Sequence, residues 1–524
     1  MKAKEIKTVE LTDCQLTLDQ FMAVARYGAK VTFSDSFEDT VNRGRALIDK
    51  FLAEGRIIYG VTTGFGENVR YTIDPDDAIE LQKRIVRSHS VAVGRPLTKE
   101  QTRAIMLQMI LNSGKGQAGI QLSTLKVIRD YLNADIYPFA PGEGSVGYLS
   151  VEGHFVMAFI GEGYVIEGGE ISDDIGGGHK VPAAEVMKRE GIRPAELKCK
   201  EGLSLLNGTI TVTALAMIAL YDSISVMKNI EIGGALVYEA LRGTTKALDP
   251  RIHAMKNHEE EISSAENLLK LLEGSEISEK YRDAKVQDCY IMRAMAQIHG
   301  STRRLVKEAY EVIMEEMHGV SDNPEIFPTE DGDGVALMCG NFDGSYVGAH
   351  VDMLSMAAAI AGNEVERSID RMVNHNLSDG LPAFLVSKPG LNNGFMIPQY
   401  TAAGLQSEIK ILAQPSTIDS ISTCANQEDP VSMAYFAAKK SGECVRKLQY
   451  IVGIEFFVAL QAIDFLKPLA ESPVLAKVHD FARETVDFVD EDRYLYPDIE
   501  KFRDWVKDGT FIDLVEGEIG ELKF

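Results

Sequence analysis

Residues 207–242 read NGTITVTALAMIALYDSISVMKNIEIGGALVYEALR. The run contains no proline, and Ile210, Leu215, Ile218, Tyr221, Ile224 and Met227 fall on one apolar stripe of helical period. Two further stretches, 345–377 and 431–468, have the same character, the second with a stripe of Val445, Leu448, Ile451, Ile454 and Val458. Each outruns the average globular helix of about 10–14 residues, which argues for a bundle of long helices. Charged residues interrupt all three, so they read as bundle helices rather than membrane spans. Ala and Gly on several faces suit helices covered on more than one side, as in an oligomer core.

Outward from these helices the character changes. Residues 1–205 mix short helical patterns, such as Phe37–Glu54 and Lys99–Ser113, with Gly- and Pro-rich loops. The turn-rich YPFAPGEGSVG lies at 137–147, and 160–185 reads as a hairpin with a loop. Residues 255–285 are highly charged and read as an exposed excursion. The expectation is a mainly α protein in three consecutive parts: a mixed, loop-rich head over 1–205, a long-helix bundle over 206–475 and a helical tail over 476–524. No internal repeat emerges.

Composition narrows the function classes. The 524 residues carry 54 basic and 78 acidic side chains, a net charge of −24, so phosphate backbones and anionic membranes are repelled and a nucleic-acid partner is not expected. The six cysteines (Cys14, Cys199, Cys289, Cys339, Cys424, Cys444) are far apart and read as free thiols. The first residues lack an apolar stretch of signal-peptide length, and no window approaches about eighteen uninterrupted apolar residues, so a cytoplasmic protein without a membrane span is expected. Gly142-Glu-Gly144-Ser-Val-Gly147 matches GxGxxG, but Pro138 and Pro141 should break any strand before it, so a nucleotide site is not expected. The ten histidines are scattered, which gives no support for a metal site.

Four separated segments are more specific: Tyr59-Gly-Val-Thr-Thr-Gly-Phe-Gly66 with Glu67, Gly144-Ser-Val-Gly147, Glu201-Gly-Leu-Ser-Leu-Leu-Asn207-Gly-Thr, and Gln287-Asp-Cys-Tyr290-Ile-Met-Arg293 with Gln297. Gly340-Asn-Phe342, Gly394-Phe-Met, Ser407-Glu-Ile-Lys410 and Asn426-Gln-Glu428-Asp-Pro-Val-Ser-Met433 follow in order. Together they resemble the aromatic amino acid ammonia-lyase and aminomutase family over most of the chain. The resemblance implies a homotetramer with shared active sites, a catalytic N-terminal head and a helical core. It also implies a methylidene-imidazolone electrophile that the family cyclises from Ala-Ser-Gly.

That tripeptide is missing. Gly147 is followed at once by Tyr148-Leu-Ser-Val-Glu-Gly-His154. This matches the family's D-L-A-P-L-[AS]-H only if three residues have been removed, with Tyr148 in place of Asp and Val151 in place of Pro. Either the electrophile has been lost, or the three residues are fused into one non-standard residue that drops out of the one-letter sequence. The residues serving the electrophile remain, which favours the second reading and places the group between Gly147 and Tyr148.

The resemblance assigns Tyr59 as general base, Tyr290 as its support or the electrophile's, Arg293 as carboxylate fork, and Asn207 and Gln287 as carboxylate and amine contacts. Phe342 packs beside the electrophile, and Gly66 and Glu67 flank the substrate. Ser88 and His89 set substrate choice: His89 can hydrogen-bond an imidazole or a phenol, and Glu428 can pair with an imidazole. Thr62, Thr63 and Glu67 look more like tyrosine aminomutases. The expected reaction is ammonia elimination from L-histidine to urocanate or from L-tyrosine to coumarate, without metal or nucleotide. The rivals are a 2,3-aminomutase and a catalytically dead homologue.

Overall fold

A computed structural model describes residues 2–74, 77–169 and 178–524. It is mainly helical, with short two- and three-stranded sheets. The long helical stretches form as Ile210–Ala240, Ser345–Val373 and Ala434–Asp464, joined by Met295–His318. The stretch 201–240 has the length and hydropathy to cross a membrane, yet 94% of its most apolar window is buried within the protein, as in a core helix.

The chain groups into two compact units, and they are not consecutive segments. The first holds Met1–Ile218, Glu311–Val351 and Pro415–Lys439, and the second holds Ala219–Tyr310, Asp352–Gln414 and Lys440–Phe524. The division cuts across the head, bundle and tail drawn from the sequence, because single long helices such as Ile210–Ala240 supply residues to both.

In the first unit local signals set the helix starts. Thr98 and Gln101 close a capping box on Lys99–Ser113, and Ser34 caps Asp35–Ala53. Pro138 and Pro141 do not abolish strands here. Pro138 ends the edge strand Tyr137–Pro138 and Pro141 opens Pro141–Glu143, positions where a missing N–H costs no ladder bond. No helix opens on Gly147; the next begins at Val151. The hairpin forms from Tyr164–Glu167 and His179–Pro182, and the loop expected between them falls largely outside the described residues.

In the second unit the charged stretch is not an excursion. Glu259–Leu271 is a helix with Glu260, Glu261, Leu268 and Leu271 buried. Its acids have partners: Glu261 Oε1 accepts from Gln297 and meets His253 at 2.9 Å, and Lys307 donates to Glu260 at 3.0 Å. The C-terminal helices pack on Ala434–Asp464 through aromatic rings, with Phe456 stacked on Phe511 at 4.5 Å and Phe457 on Phe502 at 5.0 Å.

Candidate active site

The run Ile58–Gly66 turns tightly because its two threonines stand in for backbone partners. Thr62 Oγ1 accepts from the Ile58 N–H at 2.9 Å, and Thr63 Oγ1 accepts from the Gly60 N–H at 3.1 Å. The turn brings Gly66 under Tyr59, whose phenol oxygen accepts the Gly66 N–H at 2.9 Å. Gly66 has φ +54°, and a Cβ there would lie 2.4 Å from Cys424 Sγ, so the close approach requires glycine. Burial pushes the Tyr59 phenol above its ordinary value, and the Gly66 N–H works against that shift.

The helix Ala78–His89 supplies the next wall. Gln82 sits on its buried face, donating to Gly60 O at 3.0 Å and accepting from the Leu203 N–H at 3.2 Å. One side chain thus ties the Tyr59 turn to the helix Glu201–Leu206, which Gly202 lets approach the Gln82 backbone. The sequence reading missed Gln82; its signal was a glutamine level with Ile85 and Val86 on an apolar face. At the helix end Ser88 Oγ donates to Ile85 O at 3.1 Å and lies 3.0 Å from His89 Nδ1. Burial lowers the His89 pKa, so the ring is neutral near pH ~7.

Asn207 follows Glu201–Leu206, buried, with its amide 3.5 Å from Asp322. Asp322 in turn accepts from the fully buried Lys200 at 2.5 Å. Glu428 is half-buried on the loop 420–433, where its Oε2 accepts from Thr423 Oγ1 at 2.8 Å and from the Tyr148 hydroxyl at 3.4 Å. Tyr59, Phe65, His89, Asn207, Phe342 and Glu428 line one cavity of about 1040 Å³, with Ser88 and Gly66 also on its wall.

The turn 147–149 departs most from expectation. Gly147 passes directly into Tyr148 with no Ala-Ser-Gly between them. The Tyr148 ring is 5% exposed and meets Phe342 edge-on, centroids 5.3 Å apart, so it takes the neighbour that the resemblance gave to the electrophile. The nearest serines are engaged in the turn itself: Ser145 Oγ accepts from the Gly147 N–H, and Ser150 Oγ donates to Gly144 O. Closure puts Gly147 at φ +145° and Leu149, a branched residue, at φ +73°. The methylidene-imidazolone expected here does not fit: the chain lacks residues to form it, and a tyrosine ring packs on Phe342.

Gln287, Tyr290 and Arg293 belong to the second unit. Tyr290–Arg293 is a single helical turn with the Arg293 guanidinium 5.7 Å from the exposed Tyr290 ring, and Gln287 lines a small cavity of that unit. Glu67 is paired with Arg70. Among the described residues no three His, Cys, Asp or Glu side chains gather as a metal-binding group.

A family model described as aromatic amino acid lyase matches residues 16–484. The histidine ammonia-lyase of Clostridium tetani is 38% identical over 520 residues, covering 98% of each chain. Among solved structures, the tyrosine aminomutase of Streptomyces globisporus superposes with a TM-score of 0.92 at 30% identity, over 98% of this chain and 100% of that one. The ergothioneine-degrading ergothionase of Treponema denticola does so with 0.87 at 26% identity, over 97% and 100%. Three different activities share this frame, so the choice among them rests on the cavity.

Proposed function

The chain belongs to the aromatic amino acid lyase family and is a carbon–nitrogen lyase, and on that premise we propose that its substrate is an amino acid with a hydrogen-bonding ring, an imidazole before a phenol. The Ser88–His89 pair carries this reading. Ser88 has one proton and gives it to Ile85 O, so its oxygen accepts the His89 Nδ1–H and Nε2 is left as an acceptor. An acceptor on the cavity wall takes a ring N–H or a phenol O–H and offers nothing to a bare phenyl. The 38% identity to a histidine ammonia-lyase supports the imidazole, which makes urocanate the product.

Tyr59 is the base for the β-proton, and the Gly66 N–H at 2.9 Å steadies the phenolate that does the work. Arg84, on the cavity wall and paired with Glu80 at 3.2 Å, adds positive charge on the substrate's side, while the carboxylate fork is Arg293. Gln287, Tyr290 and Arg293 join the reaction through a homotetramer with shared sites, in which one copy's second unit serves another copy's cavity. The electrophile implied by the resemblance would activate the amine covalently; this chain has no residues to form it, and no step is drawn through it. A 2,3-aminomutase would use the same residues and return the amine to the β-carbon; the likeness to a tyrosine aminomutase supports it.

Calorimetric titration with urocanate and with cinnamate, its phenyl counterpart, tests the ring assignment. Urocanate is expected to bind, and His89→Leu to weaken it ~10-fold. Cinnamate binding as tightly as urocanate would remove His89 as the ring's partner. A β-amino acid product would assign the mutase instead.

A further inference from the structure

A β-elimination needs a base for the β-proton and a nitrogen able to leave. The α-ammonium of an amino acid titrates below a free tyrosine phenol, which does so at about 10. Conditions basic enough to make the Tyr59 phenolate have therefore already stripped an ordinary α-ammonium of a proton. The remaining amine would have to leave as an amide ion, which is prohibitive without covalent activation. This chain lacks the residues for that activation, and Tyr148 occupies the position beside Phe342. A nitrogen that carries no N–H escapes the difficulty, because it stays cationic at every pH.

The cavity has the chemistry for such a nitrogen. Tyr59, Phe65 and Phe342 all line it, with the Tyr59 and Phe65 rings edge-to-face at 6.5 Å. Aromatic faces attract a quaternary ammonium, whereas a primary ammonium wants three hydrogen-bond acceptors. Among the described residues Glu428 is the only carboxylate on the cavity wall, where it supplies the counter-charge to a cation, with its Oε2 accepting two hydroxyls. We propose that this site eliminates a trialkylamine from the quaternary-ammonium betaine of its ring-bearing amino acid, with Tyr59, Phe65 and Phe342 seating the cation. The inference rests on the ring reading above for the identity of the ring and on its own observations for the leaving group.

The step balances without a further reagent. The β-proton passes to the Tyr59 phenolate, and its C–H electron pair becomes the Cα=Cβ bond. The Cα–N bond breaks with its pair on nitrogen, releasing a neutral trialkylamine. One cation and one phenolate are consumed; one amine, one phenol and the acrylate carboxylate remain.

The test uses the full-length protein and four substrates: L-histidine, Nα,Nα,Nα-trimethyl-L-histidine, and the same pair built on tyrosine. Acrylate is followed by near-UV absorbance and trimethylamine by mass spectrometry. For the preferred ring the trimethylated member is expected to show kcat/KM at least ~100-fold above its unmodified partner, with trimethylamine equal to acrylate. Unmodified substrates turned over as fast, or no turnover of either trimethylated one, would overturn the proposal. A large ratio seen only on the tyrosine pair would overturn the ring reading and leave the leaving-group proposal standing. Phe342→Leu is expected to raise KM for the trimethylated substrate ~5-fold and to weaken urocanate, which has no cation, by distinctly less. An unchanged KM, with urocanate binding intact as proof of folding, would remove Phe342 from the cation's seat.

Discussion

At the scale of single residues the site turns on two groups moved in opposite directions by burial. Burial raises the Tyr59 phenol, so its base form gains population only on the alkaline side of about pH 10 unless a cation is bound beside it. The rate under kcat/KM conditions is therefore expected to climb throughout the alkaline range, where the free protein is sampled; a plateau reached by about pH 7 would contradict Tyr59 as the base. Burial moves His89 down, so it keeps its acceptor nitrogen to below its ordinary value of about 6.5. Urocanate affinity should stay level through neutral pH and fall on the acid side of the ordinary imidazole range, and His89→Leu should shrink that acid limb and leave a weaker affinity.

At the scale of elements the decisive pieces are the turn 147–149 and the helix Ala78–His89, whose Gln82 ties the Tyr59 turn to Glu201–Leu206. Intact mass spectrometry of the purified protein should return the unmodified chain of 57.6 kDa. A mass consistent with an additional tripeptide less two waters would restore the electrophile. Gln82→Ala strands the Gly60 carbonyl and the Leu203 N–H, a cost of about 1–3 kcal/mol, and by loosening the Tyr59 turn it should depress kcat more than KM. These two elements also show what sequence could and could not disclose. The long helices were legible because an apolar stripe of helical period is a local pattern, and Tyr59, His89, Asn207, Phe342 and Glu428 because each lies in a short motif. Gln82 was not, since its two partners are distant in sequence and nothing local marks a glutamine as a clamp. The charged run 255–285 misled because acids look solvated until His253, Gln297 and Lys307 are placed beside them. Tyr148 was visible as a departure, but its contact with Phe342 needed coordinates.

At the scale of the whole molecule, stability and assembly give separate handles. In the second unit burial works against a charged His479, but its bonds to Asp464 and Glu471 prevail and raise its pKa from 6.5 to about 9. A raised folded value means that the stabilisation is complete below the unfolded value and is lost as pH rises through the folded one. The melting temperature should decline between about pH 6.5 and 9, and His479→Gln should flatten that decline. The proposed sharing of sites between copies makes a further prediction: Tyr59→Phe and Arg293→Ala, each inactive alone, should regain activity when co-expressed, since mixed assemblies would contain cavities with both residues intact. Activity no greater than the sum of the two would assign every site to one chain.

The most direct measurement is single-turnover formation of urocanate from Nα,Nα,Nα-trimethyl-L-histidine at about pH 9, by the wild-type protein and by Tyr59→Phe, with urocanate affinity as the control for folding. The wild type is expected to release acrylate and trimethylamine in equal amounts, and the variant to be at least ~100-fold slower at unchanged affinity. Equal rates in the two proteins, or no acrylate from either, would contradict elimination by side chains alone around Tyr59.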